Sequence, residues 1–219
     1  MKNNAFTLAE VLITLVIIGV IASMTIPTLI NKTNKQEYVS RLKKAYSTFA
    51  QVTNRIIAEN GTPDNWHLKG NRSYDEASEN FGKLYQKYLS SAKQCTSSQR
   101  GCFSSVVKDM GGSNFDSVYS DSSNYYRLLL SDGSTVLFDG NIFDDCTIGS
   151  MSGCSYFFVD VNGEKGPNVA GRDVFQFFIA KNGLQPAGIN NDGISPTSKC
   201  RQNNLECTWK VLLENAMNY

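Results

Sequence analysis

A membrane-length apolar segment with a single acid near its start constrains the fold of this chain more than any other feature. Residues 8–30 contain one charged side chain, Glu10, and are otherwise apolar or weakly polar. The stretch from Phe6 to Ile26 has the ~20 residues that a helix needs to cross a bilayer. Placing a carboxylate in a membrane-spanning helix costs about 2.5–3.5 kcal/mol of free energy on insertion scales. We therefore interpret Glu10 as a functional group that pairs with another charged group.

The residues around Glu10 form a signal. A short polar leader with Lys2 and the small residue Ala5 precedes Phe6-Thr7-Leu8-Ala9-Glu10, and the apolar segment follows at once. This resembles the prepilin signal of type IV pilins and type II secretion pseudopilins, with Ala5 where the family usually has Gly. The resemblance implies cleavage by prepilin peptidase between Ala5 and Phe6 and N-methylation of the new Phe6 amine. It also implies that Glu10 meets the charged N-terminus of a neighbouring subunit.

Two further residues extend the resemblance. Many members of the family carry helix-weakening residues where this chain has Gly19 and Pro27. Glycine and proline both have low helix propensity, so we expect these two residues to weaken the apolar helix where they lie.

Two alternatives for the N-terminal segment are less consistent with its residues. Residues 1–23 could form a secretory signal peptide, but Glu10 inside the apolar region opposes this. An ordinary anchor helix leaves Glu10 unexplained. The positive-inside rule would place the body in the cytoplasm, because the basic residues cluster after the segment; they are Lys32, Lys35, Arg41, Lys43 and Lys44.

The cysteines oppose a cytoplasmic body. All six lie after residue 90, in the local pairs Cys95 with Cys102, Cys146 with Cys154, and Cys200 with Cys207. An even count at close spacing indicates disulfides in an oxidising compartment, with neighbour pairing preferred among 15 formal connectivities. Zinc is the alternative, but structural zinc sites usually have two to four residues between paired cysteines. We therefore expect the body outside the inner membrane.

The helical pattern continues beyond Pro27. Apolar residues recur at spacings of three and four and form one stripe along a helix; they are Tyr38, Leu42, Ala45, Phe49, Val52 and Ile56. Asn60-Gly61 followed by Thr62-Pro63 is typical of a helix end. We predict one helix from about Thr7 to Glu59, whose first half lies in lipid and whose second half packs on a globular domain.

The remainder predicts a small α+β head with an antiparallel sheet of about four strands, as in a pilin-like fold. The capping-box pattern at residues 73–76 starts a helix over about 74–91. Strands are predicted at 125–130, 134–138, 155–161 and 174–180, with turns at Asp132-Gly133, Asn162-Gly163 and Asn182-Gly183. Stretches 94–124 and 183–206 are rich in Ser, Gly and Asn and are predicted as loops. The expected organisation is a leader at 1–5, a transmembrane half-helix at 6–30, an amphipathic half-helix at 31–60 and an exported head at 61–219.

The segment 159–175 also resembles a stretch in the heads of pseudopilin-like proteins. Four oxygen-bearing side chains there would permit a calcium site around a glycine turn; they are Asp160, Asn162, Glu164 and Asp173. The full EF-hand pattern is missing, and Asn162-Gly163 is already explained as a hairpin turn. The alternative is a sheet connection in which Asp160 and Asp173 accept hydrogen bonds from backbone donors.

Enzymatic and nucleic-acid functions have little support. The sequence lacks His-Glu-x-x-His, Gly-x-Ser-x-Gly and the phosphate-binding Gly-x-x-x-x-Gly-Lys pattern. The one histidine, His67 beside Trp66, is interpreted as a surface or interface residue. Lys and Arg number 21 against 20 Asp and Glu, for a net charge of +1, so no strong phosphate-binding footprint is expected. No cofactor is expected other than the calcium considered above.

Two function classes follow from these patterns. The first is a minor structural subunit of a type II secretion pseudopilus, anchored in the bacterial inner membrane by one helix, with its head in the periplasm or in an extracellular fibre. The resemblance implies prepilin peptidase, other pilin or pseudopilin subunits and an inner-membrane assembly platform as partners. The alternative is a type IV pilus minor pilin whose head binds surfaces, ligands or DNA.

Overall fold

The protein divides into two compact units, Met1–Glu37 and Tyr38–Tyr219. The structure, a computed structural model, describes residues 7–66, 68, 74–89, 92–95, 102–104, 106–114, 125–141, 146–148, 151–152, 154–189, 200 and 204–219. The second unit therefore includes the rear part of the long helix together with the head.

Helix α1 (Leu8–Asn60) matches the predicted long helix within one residue at each end. It is continuous through Gly19 and Pro27, in agreement with the single helix predicted over this stretch, and a weakening effect at these residues stays a prediction. The predicted stripe is buried from Tyr38 to Ile56. The helix ends where Gly61 takes a φ of 81° and its N–H bonds the Ile57 carbonyl at 2.9 Å, the left-handed ending that glycine favours.

Two short helical elements follow α1. A single 3-10 turn spans Pro63–Asn65, and α2 spans Tyr74–Gln86. Helix α2 is shorter than the predicted 74–91, because Tyr88 N–H bonds the Tyr85 carbonyl in a tighter turn that closes the helix. Ala77, Phe81 and Tyr85 form its buried side.

The head contains a six-stranded antiparallel sheet rather than the four strands expected. Its order is β1 (Lys93–Cys95), β2 (Tyr125–Leu129), β3 (Thr135–Asp139), β6 (Ser155–Asp160), β7 (Val174–Ala180) and β8 (Gly183–Pro186). The extra strands β1 and β8 fall in stretches predicted as loops, which is a correction. A separate two-stranded hairpin joins β4 (Thr147–Ile148) to β5 (Met151–Ser152). The hairpin at Asp132-Gly133 is confirmed by the β2–β3 register, in which Leu129 faces Thr135.

Both faces of the sheet are buried at its middle strands. On one face, Phe138, Phe157 and Phe177 join the buried stripe of α1, and the rings of Phe49 and Phe157 lie 4.9 Å apart. On the other face, Leu137 and Phe158 pack with a second apolar cluster; its other buried members are Phe103, Val107, Ala170, Val174 and Leu205. All five residues of β3 are buried as a result, the pattern of a strand covered on both sides.

The C-terminal part supplies a helix that the sequence analysis did not predict. A 3-10 turn (Asn204–Glu206) leads into α3 (Cys207–Glu214). Trp209 N–H bonds the Ala187 carbonyl at 2.9 Å, and Gln176 N–H bonds Thr208 Oγ1 at 3.2 Å. Gly188, at a φ of 88°, lies so close to the Glu206 carbonyl that a Cβ atom would overlap it. This close approach joins the turn after β8 to the start of α3.

Candidate functional site

The first part of α1, residues 8–30, is apolar around its whole circumference. Between Leu8 and Ile30 the large apolar side chains are exposed, from 44% for Val11 to 78% for Leu8. Within the described part of the chain, α1 is the one helix long and apolar enough to cross a membrane. A helix that is apolar around its whole circumference requires lipid or other helices around it.

The hydroxyl groups of this segment are satisfied inside the helix. Thr14, Ser23 and Thr25 donate to the carbonyls of Val11, Val20 and Ile21 at 2.9, 2.7 and 3.0 Å. Thr28 and Thr33 donate in the same way to residues four positions earlier. Because each hydroxyl already has an acceptor, these residues do not oppose placement in hydrocarbon, where an unmade hydrogen bond is costly.

Glu10 and Thr7 form a reciprocal cap at the start of α1. The backbone N–H and the hydroxyl of Thr7 donate to Glu10 Oε2 at 2.8 and 2.9 Å, and Glu10 N–H contacts Thr7 Oγ1 at 3.3 Å. This is a capping box, in which the side chains of the first residue and the one three positions later each bond the other's backbone. The cap therefore holds the Glu10 carboxylate in one position at the N-terminal end of the apolar helix.

The cap leaves Glu10 able to accept further bonds. A carboxylate has two oxygens and about four acceptor positions, and the bonds from Thr7 use Oε2. A cationic amine placed near this helix end could pair with the same carboxylate while the cap persists. The arrangement thus presents one oriented negative charge within an apolar surface.

Disulfides close three short loops in the head. The structure joins Cys95 to Cys102, Cys146 to Cys154 and Cys200 to Cys207, with sequence separations of 7, 8 and 7. These are the neighbour pairs that the spacing favours. One cysteine of each pair lies at the end of a regular element or directly beside it, since Cys95 ends β1, Cys154 precedes β6 and Cys207 begins α3. The bridges therefore hold the ends of strands and of α3 to the segments beside them.

The connection between β6 and β7 contains the candidate calcium residues. Asp160 and Asp173 are fully buried, whereas Glu164 is exposed. Both oxygens of Asp173 accept backbone N–H groups, from Asn168 at 2.8 Å and from Val169 at 2.6 Å. Asp160 Oδ1 accepts Asn162 N–H at 3.2 Å. The geometry is that of a connection held by backbone donors, which was the alternative to calcium.

Burial shifts the pKa values of Asp160 and Asp173. Burial raises the pKa of the Asp160 carboxyl well above its usual range, and the nearby Asp173 charge raises it further. Burial likewise raises the pKa of Asp173, against the opposing effect of its hydrogen bonds from Val169 and Asn168. In the described ranges, no three His, Cys, Asp or Glu side chains form a group that could hold a metal ion. The calcium site stays a prediction.

Several predicted residues lie outside the described part of the chain. Ala5 and Phe6, at the expected cleavage site, precede the first described residue, and His67 falls in a gap. Their roles remain predictions.

Two known family models match this chain. Residues 28–199 match the model of a family of unknown function (DUF6613). The chain belongs to this family. Residues 1–26 match a second model, the prokaryotic N-terminal methylation motif, so this family member is a type IV pilin-like protein. No curated protein and no solved structure matches the chain.

Two residues of these sites were missed from sequence. Thr7 had a usable signal, because Thr-x-x-Glu ahead of an apolar run is the capping-box pattern. Asn168 had none, since its role depends on a left-handed backbone with a φ of 52° and on two acidic residues, one at the end of β6 and one just before β7.

Proposed function

We propose that this pilin-like protein is a minor structural subunit of a type II secretion pseudopilus. Prepilin peptidase removes residues 1–5, and the mature chain enters the fibre through the apolar part of α1. The head remains in the periplasm. It has no catalytic role in this proposal.

The capped carboxylate of Glu10 is the observation that carries the proposal. It lies at the start of a helix segment whose apolar side chains are exposed on every side. An unpaired carboxylate in lipid is unfavourable, and the new amine of Phe6 on an adjacent subunit is a cation at the matching depth. Pairing the two neutralises both charges and fixes the axial register between neighbouring helices.

The head supports a minor role rather than that of the most abundant subunit. Three disulfides hold its loops. Disulfides of this kind persist in an oxidising compartment, which agrees with a periplasmic head. A pseudopilus subunit of this kind would also contact the inner-membrane assembly platform.

The decisive experiment compares three variants for incorporation into the fibre at equal membrane abundance. Glu10→Gln keeps a side chain that can complete the capping box but removes its charge. Glu10→Ala removes both, and Thr7→Val removes the cap while leaving the charge. Crosslinking and co-purification with the other fibre subunits measure incorporation. We expect Glu10→Gln and Glu10→Ala to lose most of it and Thr7→Val to lose much less.

Other outcomes would reject the proposal or its details. Equal incorporation of wild type and Glu10→Gln would show that the charge has no docking role and would favour a simple membrane anchor. Crosslinks to pilus-retraction components in place of secretion components would favour the type IV pilus alternative. An intact Met1, found by N-terminal mass spectrometry with and without prepilin peptidase, would contradict processing.

A further inference from the structure

The β6–β7 connection contains a side chain placed where a cation would be expected. Three oxygen acceptors converge around residue 168: the Gly163 carbonyl, Asp160 Oδ2 and Asp173 Oδ2. Convergent oxygens beside buried carboxylates are the usual surroundings of a hard cation. Here the residue at their centre is Asn168.

Asn168 donates a hydrogen bond to each of the three acceptors, two from its side-chain amide and one from its backbone N–H. With its amide nitrogen turned toward its neighbours, the side chain donates to the Gly163 carbonyl and to Asp160 Oδ2, at 3.2 Å each. The opposite orientation would set the amide oxygen against two other acceptors, so the network fixes the orientation. Its backbone N–H donates to Asp173 Oδ2 at 2.8 Å.

The backbone of Asn168 makes this arrangement possible. Its φ of 52° is left-handed, a region that Asn tolerates better than most side chains. In this conformation the main chain turns its N–H toward Asp173 while the side chain points to Asp160. One residue therefore links the last residue of β6 to the residue that precedes β7.

The oxygen atoms available as ligands in the β6–β7 connection do not suit a metal ion. Calcium takes six to eight oxygens, but both oxygens of Asp173 already accept N–H groups and Glu164 is exposed. The Oδ1 atom of Asn162 is buried without a partner, yet a single free oxygen does not make a cage. The residues present therefore do not fit calcium.

We infer that the Asn168 amide occupies the position of a cation and that the β6–β7 connection folds without a metal ion. The amide hydrogens carry the partial positive charge that the oxygens need. The inference concerns the head and is independent of how the subunit assembles.

Thermal unfolding of the full chain in detergent micelles tests this inference. Wild type should have the same Tm in EDTA and in millimolar CaCl2. Asn168→Ala should lower Tm by about 2–10 °C in both buffers, because Asp160 and the Gly163 carbonyl lose their donor. Asn168→Asp places a third carboxylate among the oxygens, so it should have the lowest Tm in EDTA and recover part of it in CaCl2.

Asn182 provides a matched control. It is an exposed asparagine in the turn between β7 and β8. Asn182→Ala and Asn182→Asp should unfold like wild type in both buffers. A wild-type Tm that falls in EDTA and returns with CaCl2 would overturn the inference, as would an Asn168→Ala variant as stable as Asn182→Ala. The wild-type comparison remains decisive if a variant fails to fold.

Discussion

The hydroxyl of Tyr85 on α2 lies 2.7 Å from Thr53 Oγ1 on α1, inside the apolar core. Thr53 Oγ1 also donates to the Phe49 carbonyl at 2.7 Å, so its proton is already used. Tyr85 is therefore the donor in the shared bond and Thr53 the acceptor, so loss of one side chain is not equivalent to loss of the other.

The direction of that bond predicts unequal effects of removing its partners. Thr53→Val leaves the buried Tyr85 hydroxyl without an acceptor and should reduce the free energy of unfolding by about 1–3 kcal/mol. Tyr85→Phe leaves Thr53 bonded to Phe49 and should cost less. Denaturant unfolding of both single variants and of the double variant measures this. A Tyr85→Phe variant that loses more stability than Thr53→Val would show that the assigned direction is wrong.

The buried Asp160 predicts a dependence of stability on pH. Burial and the Asp173 charge raise its pKa in the folded state above the unfolded value of about 3.9. The folded state then binds more protons than the unfolded chain, so stability is lost as pH rises from the unfolded pKa through the folded pKa. Asp160→Asn should flatten this decline. Unfolding free energies measured from pH 3 to pH 8 give the slope.

Asp132 supplies a comparison of opposite sign. Partial burial would raise the pKa of this carboxyl, but hydrogen bonds from Lys44 and Ser134 lower it overall. It therefore contributes stability above its unfolded pKa that is lost as pH falls. Asp132→Asn should lose stability at neutral pH and approach wild type in acid. If Asp132→Asn and Asp160→Asn changed the pH profile in the same direction, burial would not explain the Asp160 effect.

Gly82 predicts a strong restriction on side-chain size in α2. A Cβ atom there would overlap the ring of Tyr126 on β2. In an exposed helix, Gly→Ala would stabilise by about 0.5–1 kcal/mol, but here overpacking of about 1–3 kcal/mol should prevail. Gly82→Ala should therefore lower stability, whereas the exposed neighbour Lys83→Ala should change it by less than about 0.5 kcal/mol. Thermal unfolding of both variants distinguishes a packing effect from a general sensitivity of α2.

The disulfides predict a stability loss on reduction. Each bridge typically contributes about 2–4 kcal/mol, toward the low end for loops as short as these. Replacing Cys200 and Cys207 by Ala should destabilise the start of α3 more than the rest of the head, because Cys207 is its first residue. Non-reducing peptide mapping checks the pairing, and free thiols at most of the six positions would contradict it.

The sequence predicted the elements whose signals are local. The α1 stripe, the Asp132-Gly133 hairpin and strand β7 follow from periodicity and turn chemistry, and each matches within about a residue. Strands β1 and β8 were missed because three or four residues in a Ser- and Gly-rich stretch carry little pattern. Helix α3 is only eight residues long and depends on contacts to Ala187 and Gln176 that lie far away in sequence.

The candidate sites also differ in whether their signal is local in the sequence. Glu10 was found because a charge in an apolar run is visible in a single window. The role of Asn168 was not, because it requires a left-handed residue to contact one acid at the end of β6 and another just before β7. Contacts of this kind are set by the tertiary fold and leave no periodic trace in the chain.

The burial of β3 on both faces has a consequence for how the head opens. Its residues pair on both edges, with β2 and with β6, so its amides are shielded by neighbouring strands as well as by side chains. In native-state hydrogen exchange, the amides of β3 and β6 should exchange only on global unfolding, while the terminal strand β1 exchanges through local opening. The middle of the sheet would then keep its protons longest, and the β1 edge would be the first part of the sheet available to a protease.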